Sequence, residues 1–476
     1  LVLMERAALK TVETMNEYGI DTSKALIVCG SGNNGGDGFA IARLLWEKGQ
    51  YPRIFFAGKE ASLSTECKTQ KKIAENLGIE IITENPQDEY TVIIDAIFGV
   101  GLSREVSGKY ADIISWMNEQ NCRKVAVDIP SGVSSATGKI LGTAFRAELT
   151  VAMACVKVGC ELYPGKTYAG TTVPVPIGID TSCFLSDCEV CMTYDRADIP
   201  DLLPQRKADS HKGSYGKVLM ITGSRGMAGA AYLSAKAAYT AGAGLVRIYT
   251  AEENRSILQQ LLPEAVITCY GNYDEAELTG LLNWADVVCI GCGLGTSDVS
   301  EQILETALQQ VRVPCIIDAD GLNLLSSHMD LLGKIQAPVI LTPHMKEMSR
   351  LTGLTVSELS ERRVDIIEEF AEKYPVVCVM KDSRTLVKKQ GRHTFINLAG
   401  NSAMAKAGAG DVLAGVITGI VAQGMDVYEG AALGVFLHAC GGDEARRLKG
   451  GYSVLARDLI DGVGRCMDIS RQQTAR

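Results

Sequence analysis

Two short stretches gather the residue types that could do chemistry. The first is CGSGNNGGDGFAIARLL, residues 29–45. Gly30, Gly32 and Gly35 fit GxGxxG, in which glycine lets a backbone approach a pyrophosphate at the positive end of a helix. The neighbouring side chains are more informative. Asp37 is expected in the first helical turn, where a carboxylate repels phosphate unless the ligand offers hydroxyls, an amide or a cation. Asn33 and Asn34 add amide oxygens suited to a ribose or a hard metal ion. The alternative for Asp37 is a carboxylate that merely favours the helix start, worth roughly 0.3–1 kcal/mol. Asp95 ends TVIID and Asp128 ends KVAVD. Ligands of open parallel sheets bind beyond the C-terminal strand ends, so both can share one crevice with the 30–37 turn. Asp128, followed by Ile129, Pro130, Ser131 and Gly132, sits on a stiff turn that suits a general acid/base. For either Asp, capping of a following helix is the competing reading.

The second stretch is NLAGNSAMAKAGAGDVLAGVITGIVAQG, residues 397–424. Gly408 and Gly410 precede Asp411, which opens an apolar helix. Backbone N–H groups at such a start form an anion hole, and a carboxylate beside it can take the proton of a hydroxyl while the hole holds a transferring phosphoryl group. A glycine-rich loop with Asp as helix cap is the alternative. The Walker pattern GxxxxGK[ST] is absent from this loop, which excludes a P-loop NTPase.

The elements that must position these residues follow one rhythm: short apolar strand, glycine turn, amphipathic helix. KALIVCG, YPRIFFAG, TVIIDAIFG, KVAVDIPSG and LTVAMA are the strands expected in the first half. KVLMITGS, GLVRIYTA, DVVCIGCG, PCIIDADG, PVILTP and VVCVMKD are those expected in the second. Buried strands alternating with helices predict parallel sheets covered on both faces. Between about Thr181 and Lys212 the rhythm breaks into a short strand, two prolines (Pro200, Pro204) and the basic turn QRKADSHKG. The boundary is therefore expected near residue 187, giving domains 1–186 and 187–476. The fold expected is α/β, with two three-layer αβα domains.

The chain's 476 residues exceed a single core. A net charge of −9 argues against a nucleic-acid partner, and no window approaches the roughly 18 apolar residues of a membrane span. Fifteen scattered cysteines read as reduced thiols of a cytoplasmic protein. Cys188 and Cys191 form one CxxC near Cys183, without the second ligand pair that a zinc site needs. The chain opens at Leu1 inside a helix-like segment with no initiator Met, so the opening helix is expected to be truncated.

In order along residues 1–186, CGSGNNGGDGFAIARLL, DAIFGVGLSREVSGKY, AVDIPSGVSSATG and LYPGKTYAGTTVPVPIGI resemble the Rossmann-like NAD(P)H-hydrate epimerase domain. In that family the substrate is NADH or NADPH hydrated at C6 of the nicotinamide, as R and S epimers. The resemblance implies that Asn33, Asn34, Gly35, Gly36 and Asp37 bind the hydrate. Gly99, Val100, Gly101, Leu102, Ser103, Arg104, Glu105, Tyr110 and Asp128 would join them, with Asp128 as acid/base. It also implies a potassium ion held by Asn34, Asp95 and Ser131; oxygen ligands suit a hard cation.

Across residues 207–415, HKGSYGKVLMITGSRGMAGAAYLSAKAA, AGAGLVRIYT, IGCGLGTS, DADGLNLL, LTPHMKEMSRL, VMKDSRTLV and AGAGDVLAG resemble a ribokinase-like fold. Within it they are similar to the ADP-dependent NAD(P)H-hydrate dehydratase. The resemblance implies that Lys381, Asp382, Ser383, Arg384 and Thr385, with Asn401, Gly408 and Gly410, hold the nucleotide, which Mg²⁺ would accompany. Ala230, Gly293, Gly295, His344, Glu347 and Arg350 would face the hydrate, with Asp411 as base. Phosphoryl transfer to the C6 hydroxyl and loss of phosphate would restore NAD(P)H and turn ADP into AMP. Three departures stand out: Met345 and Lys346 where Pro-Gly is usual, AGAGD for GG(S/T)GD, and GCGLG for GPGLG. Lys346 is expected to alter the loop or add charge, Cys292 to be a packing change, and His211 to serve a structural turn or touch a phosphate.

The expected function is repair of hydrated NADH and NADPH by a symmetric homo-oligomer. One alternative is an ATP-dependent kinase for a vitamin or sugar alcohol in the second half. Another is a catalytically silent dinucleotide-binding module, which the retained Asp37, Asp95, Asp128 and Asp411 oppose.

Overall fold

A computed structural model describes residues 1–186 and 190–468. Cys188, and with it the CxxC, lies outside the described residues. The chain forms two compact units, Leu1–Asp187 and Cys188–Arg476.

In the first unit, β1 (Ala25–Cys29), β2 (Arg53–Phe56), β3 (Ile81–Ile82), β4 (Val92–Ala96), β5 (Arg123–Val127), β6 (Leu149–Met153) and β7 (Thr171–Val175) form one parallel sheet. Its order is β3-β2-β1-β4-β5-β6-β7. Every residue of β1, β4 and β6 is buried. Alternation sends Ala25, Ile27 and Cys29 to one face, beneath the helices Val2–Glu17 and Asn33–Glu47. It sends Leu26 and Val28 to the other, beneath Lys109–Glu119. That is the three-layer arrangement the buried strands imply. Strand order reverses between β1 and β4, so the turn after β1 and the ends of β4 and β5 border one crevice. The glycines of the first motif make close packing possible there. A Cβ on Gly30 would lie 2.1 Å from the Ile97 carbonyl oxygen, and one on Gly35 2.0 Å from that of Gly30.

The second unit holds β8 (Cys191–Met192), β9 (Lys217–Ile221), β10 (Leu245–Ala251), β11 (Val266–Tyr270), β12 (Val287–Ile290), β13 (Cys315–Ile317), β14 (Val339–Leu341), β15 (Val376–Met380), β16 (Leu386–Lys388) and β17 (Thr394–Ile396). Their order is β11-β10-β9-β12-β13-β14-β15-β16-β17-β8. Only the β15–β16 and β16–β17 pairs run antiparallel. The helices Ala228–Thr240, Ala409–Val421, Val427–Lys449 and Ala456–Cys466 share one core. A Cβ on Gly415 would lie 2.1 Å from the Ser234 carbonyl oxygen, so Ala409–Val421 is seated directly on Ala228–Thr240.

The sequence reading omits β3, β7, β11, β16 and β17. β3 has two half-buried residues, β7 is an edge strand carrying Pro174, and β11 is an edge strand with one buried residue. None of these three is buried along its length, whereas β16 and β17 are fully buried but only three residues long. Thirteen cysteines among the described residues are free thiols. No helix among those residues is long and apolar enough to cross a membrane.

Candidate active sites

In the first unit, the strand ends enclose a cleft of about 820 Å³. Asn33, Asn34, Asp37, Gly99, Val100, Gly101, Leu102, Ser103, Arg104, Tyr110 and Asp128 line it. Gly35 and Gly36 are buried and not among the wall residues, whereas Glu105 is exposed and also outside the walls. A Cβ on Gly36 would meet the Met4 side chain at 2.4 Å, so its role is packing. Lys59 and Ser62 also line the cleft, a contribution the sequence reading missed. They follow β2, the neighbour of β1, so their turn borders the same crevice.

The helix begins at Asn33, which puts Asp37 in its second turn; the helix-start alternative therefore loses its basis. Burial, then the charge of Asp128, pushes the Asp37 carboxyl up to about 8, so it carries its proton at neutral pH. No helix follows Asp95 or Asp128 closely enough to be capped by either. Asp95 is fully buried and accepts from Ser131 N at 2.7 Å, Ser131 Oγ at 2.7 Å and Ile97 N at 3.1 Å. Burial raises its carboxyl to about 6, against the pull of those donors. Asn34 is buried, with neither its amide oxygen nor its amide nitrogen hydrogen-bonded. An unmet amide of this kind costs on the order of 1–3 kcal/mol unless a ligand meets it.

Asp128 has φ +70°, a conformation uncommon outside glycine. Its Oδ1 accepts from Met153 N at 3.1 Å and is paired with Lys157 Nζ. Lys157 is fixed in turn by the Met153 carbonyl at 2.8 Å and the Cys155 carbonyl at 3.2 Å. Oδ2 lies 3.9 Å from the Cβ position of Gly99, a cleft residue. One oxygen is thus anchored while the carboxylate borders the cavity, a geometry fit for shuttling a proton.

In the second unit, the helix Ala409–Val421 starts after Gly408, whose φ is +88°, with Asp411 as its third residue. Gly408, not Asp411, holds the cap position, so the helix-cap alternative is not realised. Asp318, at the end of β13, is buried; its Oδ1 accepts from Lys381 Nζ and Thr342 Oγ1, each at 2.6 Å. Lys381 also lies 3.9 Å from Glu347 Oε2. A Cβ on Gly410 would lie 3.6 Å from Lys381 Nζ, so the ammonium stands at the helix mouth. Burial, then Asp318, raises the Asp411 carboxyl to about 6, tempered by Cys292 and Lys381. A cation, an anion-binding helix start and a base ionised at neutral pH therefore meet at one point. That combination can receive a phosphoryl group beside a hydroxyl.

Among the other assigned residues, Glu347 adjoins Lys381. Glu347 and His344 form a reciprocal box, His344 N donating to Glu347 Oε2 at 2.8 Å and Glu347 N to His344 Nδ1 at 3.1 Å. The box starts the helix Met345–Thr352 in spite of the unusual Met345 and Lys346, and Lys346 is exposed. Gly293 abuts Ala230: a Cβ there would lie 2.8 Å from the Ala230 Cβ. Gly295 N donates to Asp320 at 2.8 Å, and Arg350 donates to Asn323 at 2.7 Å. Asp382 pairs with Arg363 at 2.8 Å, Ser383 is exposed, and Thr385 is buried. Arg384 donates to the Leu398 carbonyl at 2.7 Å, tying this turn to the loop in which Asn401 donates to Asp443 at 2.8 Å. His211 accepts from Gly213 N at 3.1 Å in an exposed turn, a structural role. The sequence reading missed Lys157, Thr342 and Asp318. Asp318 was findable, because it ends an apolar strand as Asp95 and Asp128 do.

The family model described as YjeF-related protein N-terminus matches residues 1–159, and that described as NAD(P)H-hydrate dehydratase matches residues 218–465. A bifunctional NAD(P)H-hydrate repair enzyme of Moorella thermoacetica is 34% identical, over 97% of this chain and 91% of its own length. The one from Escherichia coli is 31% identical over 98% and 89%. This chain belongs to the bifunctional NAD(P)H-hydrate repair enzyme family. Among solved structures, an ADP/ATP-dependent NAD(P)H-hydrate dehydratase from Bacillus subtilis, co-crystallised with ATP/Mg²⁺, is 30% identical. It aligns with a TM-score of 0.52, over 58% of this chain and 96% of its own. The second unit is thus ribokinase-like and the first Rossmann-like, as the sequence reading expects.

Proposed function

We infer that the chain repairs hydrated NADH and NADPH: the first unit, residues 1–186, interconverts the R and S hydrates, and the second, 187–476, dehydrates the S form at the expense of ADP. Asp411 carries this reading, standing ionised at neutral pH beside Lys381 and a helix start. It takes the C6 hydroxyl proton as the phosphoryl group of ADP moves onto that oxygen, leaving AMP. Loss of phosphate from C6 and of a proton from C5 then restores the dihydronicotinamide. Lys381 and the N–H groups following Gly408 hold the phosphoryl oxygens. Lys381 to Thr385, Asn401, Gly408 and Gly410 would hold the nucleotide phosphates, whose charge Mg²⁺ would offset.

In the first unit, Asp128 gives a proton to the C6 oxygen as the ring nitrogen's lone pair expels it as water, and takes the proton back as water re-adds to the resulting cation on either face. Asn34, Asp95 and Ser131 would hold a potassium ion, whose charge would steady the bound hydrate. The unmet amide of Asn34 and the buried carboxylate of Asp95 offer oxygen donors that support that fit. Asn34→Ala is expected to raise the potassium concentration for half-maximal epimerisation on the order of 10–100-fold while S-hydrate dehydration keeps its rate. Potassium titration of both reactions checks this; an unchanged requirement counts against the site.

Incubation of mixed R and S hydrates with ADP and Mg²⁺, followed by return of the reduced-nicotinamide absorbance, tests the whole reading. Near-complete recovery is expected. Recovery that stops at the S fraction removes the epimerase, and none with ADP or ATP removes the dehydratase. The kinase alternative is not favoured, because relatives matching nearly the whole chain are repair enzymes. A cytoplasmic, homo-oligomeric enzyme remains part of this proposal, the free thiols supporting a reducing compartment.

A further inference from the structure

The turn that carries Cys292 is pressed onto the base of the dehydratase site. Its flanking glycines have φ +121° (Gly291) and +61° (Gly293), and a Cβ on Gly291 would lie 2.0 Å from the Asp318 carbonyl oxygen. This close approach brings the fully buried Cys292 Sγ to 3.6 Å from Asp318 Oδ2. The Cys292 sulfur and one carboxylate oxygen from each of Asp318 and Asp411 all lie within 4.8 Å of one another. Proline, usual at this position in the resembling sequences, has no hydrogen to give either carboxylate. Cysteine has one.

We propose that Cys292 is a positioning residue for Asp411, its single S–H shared between that carboxylate and Asp318. The proposal rests on the dehydratase reading above. Asp318 can spare the thiol, because Lys381 and Thr342 already meet its Oδ1 at 2.6 Å each. The S–H therefore turns to Asp411 when Asp411 is ionised and returns to Asp318 Oδ2 when Asp411 is protonated. The Cys289 sulfur beside it, burial and the flanking carboxylates keep the thiol protonated, so it adds no charge of its own. Asp318, Asp320 and Lys381 also act on Asp411. Glu347 and His344 lie beyond Lys381, and His438 lies under Ala409. Substitution of Cys292 leaves all of these in place.

Loss of a donor to the ionised form raises the proton affinity of a carboxyl. In Cys292→Ala and Cys292→Pro the Asp411 midpoint is expected to rise by roughly 0.5–1 pH unit, modestly because S–H is a weak donor. Cys292→Ser, with a hydroxyl donor, is expected to keep the midpoint of the unmodified protein. Carbonyl ¹³C spectra of aspartate-labelled protein, with Asp411→Asn as the assignment control, read this midpoint without turnover. The acidic limb of the dehydration kcat should move with it, and the nucleotide KM should not. Should alanine disturb folding, proline gives the same comparison. A rise in Ala and Pro that Ser reverses sustains the proposal, even if no dehydration is detected and the functional reading fails. An unchanged midpoint in Ala and Pro, or a rise as large in Ser, overturns it.

Discussion

Alanine at Asp411 is expected to slow ADP-dependent dehydration of the S hydrate on the order of 10²–10⁴-fold, while R and S hydrates continue to interconvert. The asymmetry follows from placement, since Asp411 and Asp128 belong to different compact units. The size follows from protonation: a carboxyl raised to about 6 is ionised roughly ten to one at neutral pH and still accepts a proton readily. The rate should accordingly fall as pH drops through about 6, because protonated Asp411 cannot accept the hydroxyl proton. Asp411→Ala removes the group behind that limb, so its residual rate should not share the dependence. Absorbance recovery follows dehydration, and chromatographic R/S ratios follow epimerisation. A near-normal dehydration rate in the variant would remove Asp411 as the base.

Much of both sites is legible because parallel sheets place chemistry at strand ends, and strand ends are local signals. Asp95 and Asp128 each close an apolar run and Asp411 opens one, and the glycines around them mark tight turns. The missing partners are tertiary encounters. Ile317 pairs with Leu341, which puts Asp318 beside Thr342, and Leu341 pairs with Cys378 on the strand leading to Lys381. No spacing along the chain announces that Lys381 will meet Asp318, 63 residues away, or that Lys157 will anchor Asp128, 29 residues away. Cys292 reads as packing because its turn is apolar; only the approach of Gly291 to the Asp318 carbonyl turns its sulfur toward two carboxylates. Asp37 misleads for a different reason. Helix Asn33–Glu47 begins with the double Asn, so the carboxylate falls one turn deeper and lines the cleft. The run VITCY of β11 is apolar, yet the sequence reading omits it; as an edge strand it keeps one buried residue of five.

Substitution of Asp128 should have the complementary effect: S hydrate is dehydrated at the usual rate, and recovery from a mixed preparation halts at the S fraction. Asparagine is the better replacement. Asp128 has φ +70°, a conformation in which Asn is several-fold enriched and Ala is strained. Alanine would therefore remove the carboxylate and disturb the turn holding Ile129 N on the Val127 carbonyl at 2.9 Å. Asparagine keeps the volume, and its amide oxygen can still accept from Met153 N, as Oδ1 does at 3.1 Å. It loses the charge facing Lys157 and the capacity to take a proton. Epimerisation in Asp128→Asn is expected to fall on the order of 10²–10⁴-fold, as in Asp128→Ala, with thermal stability closer to the unmodified protein. Substantial epimerisation in the Asn variant with loss in the Ala variant would mean that the turn's shape matters and Asp128 is not the proton carrier. Asp37, whose carboxyl is raised to about 8 in the same cleft, would then be the group to replace next.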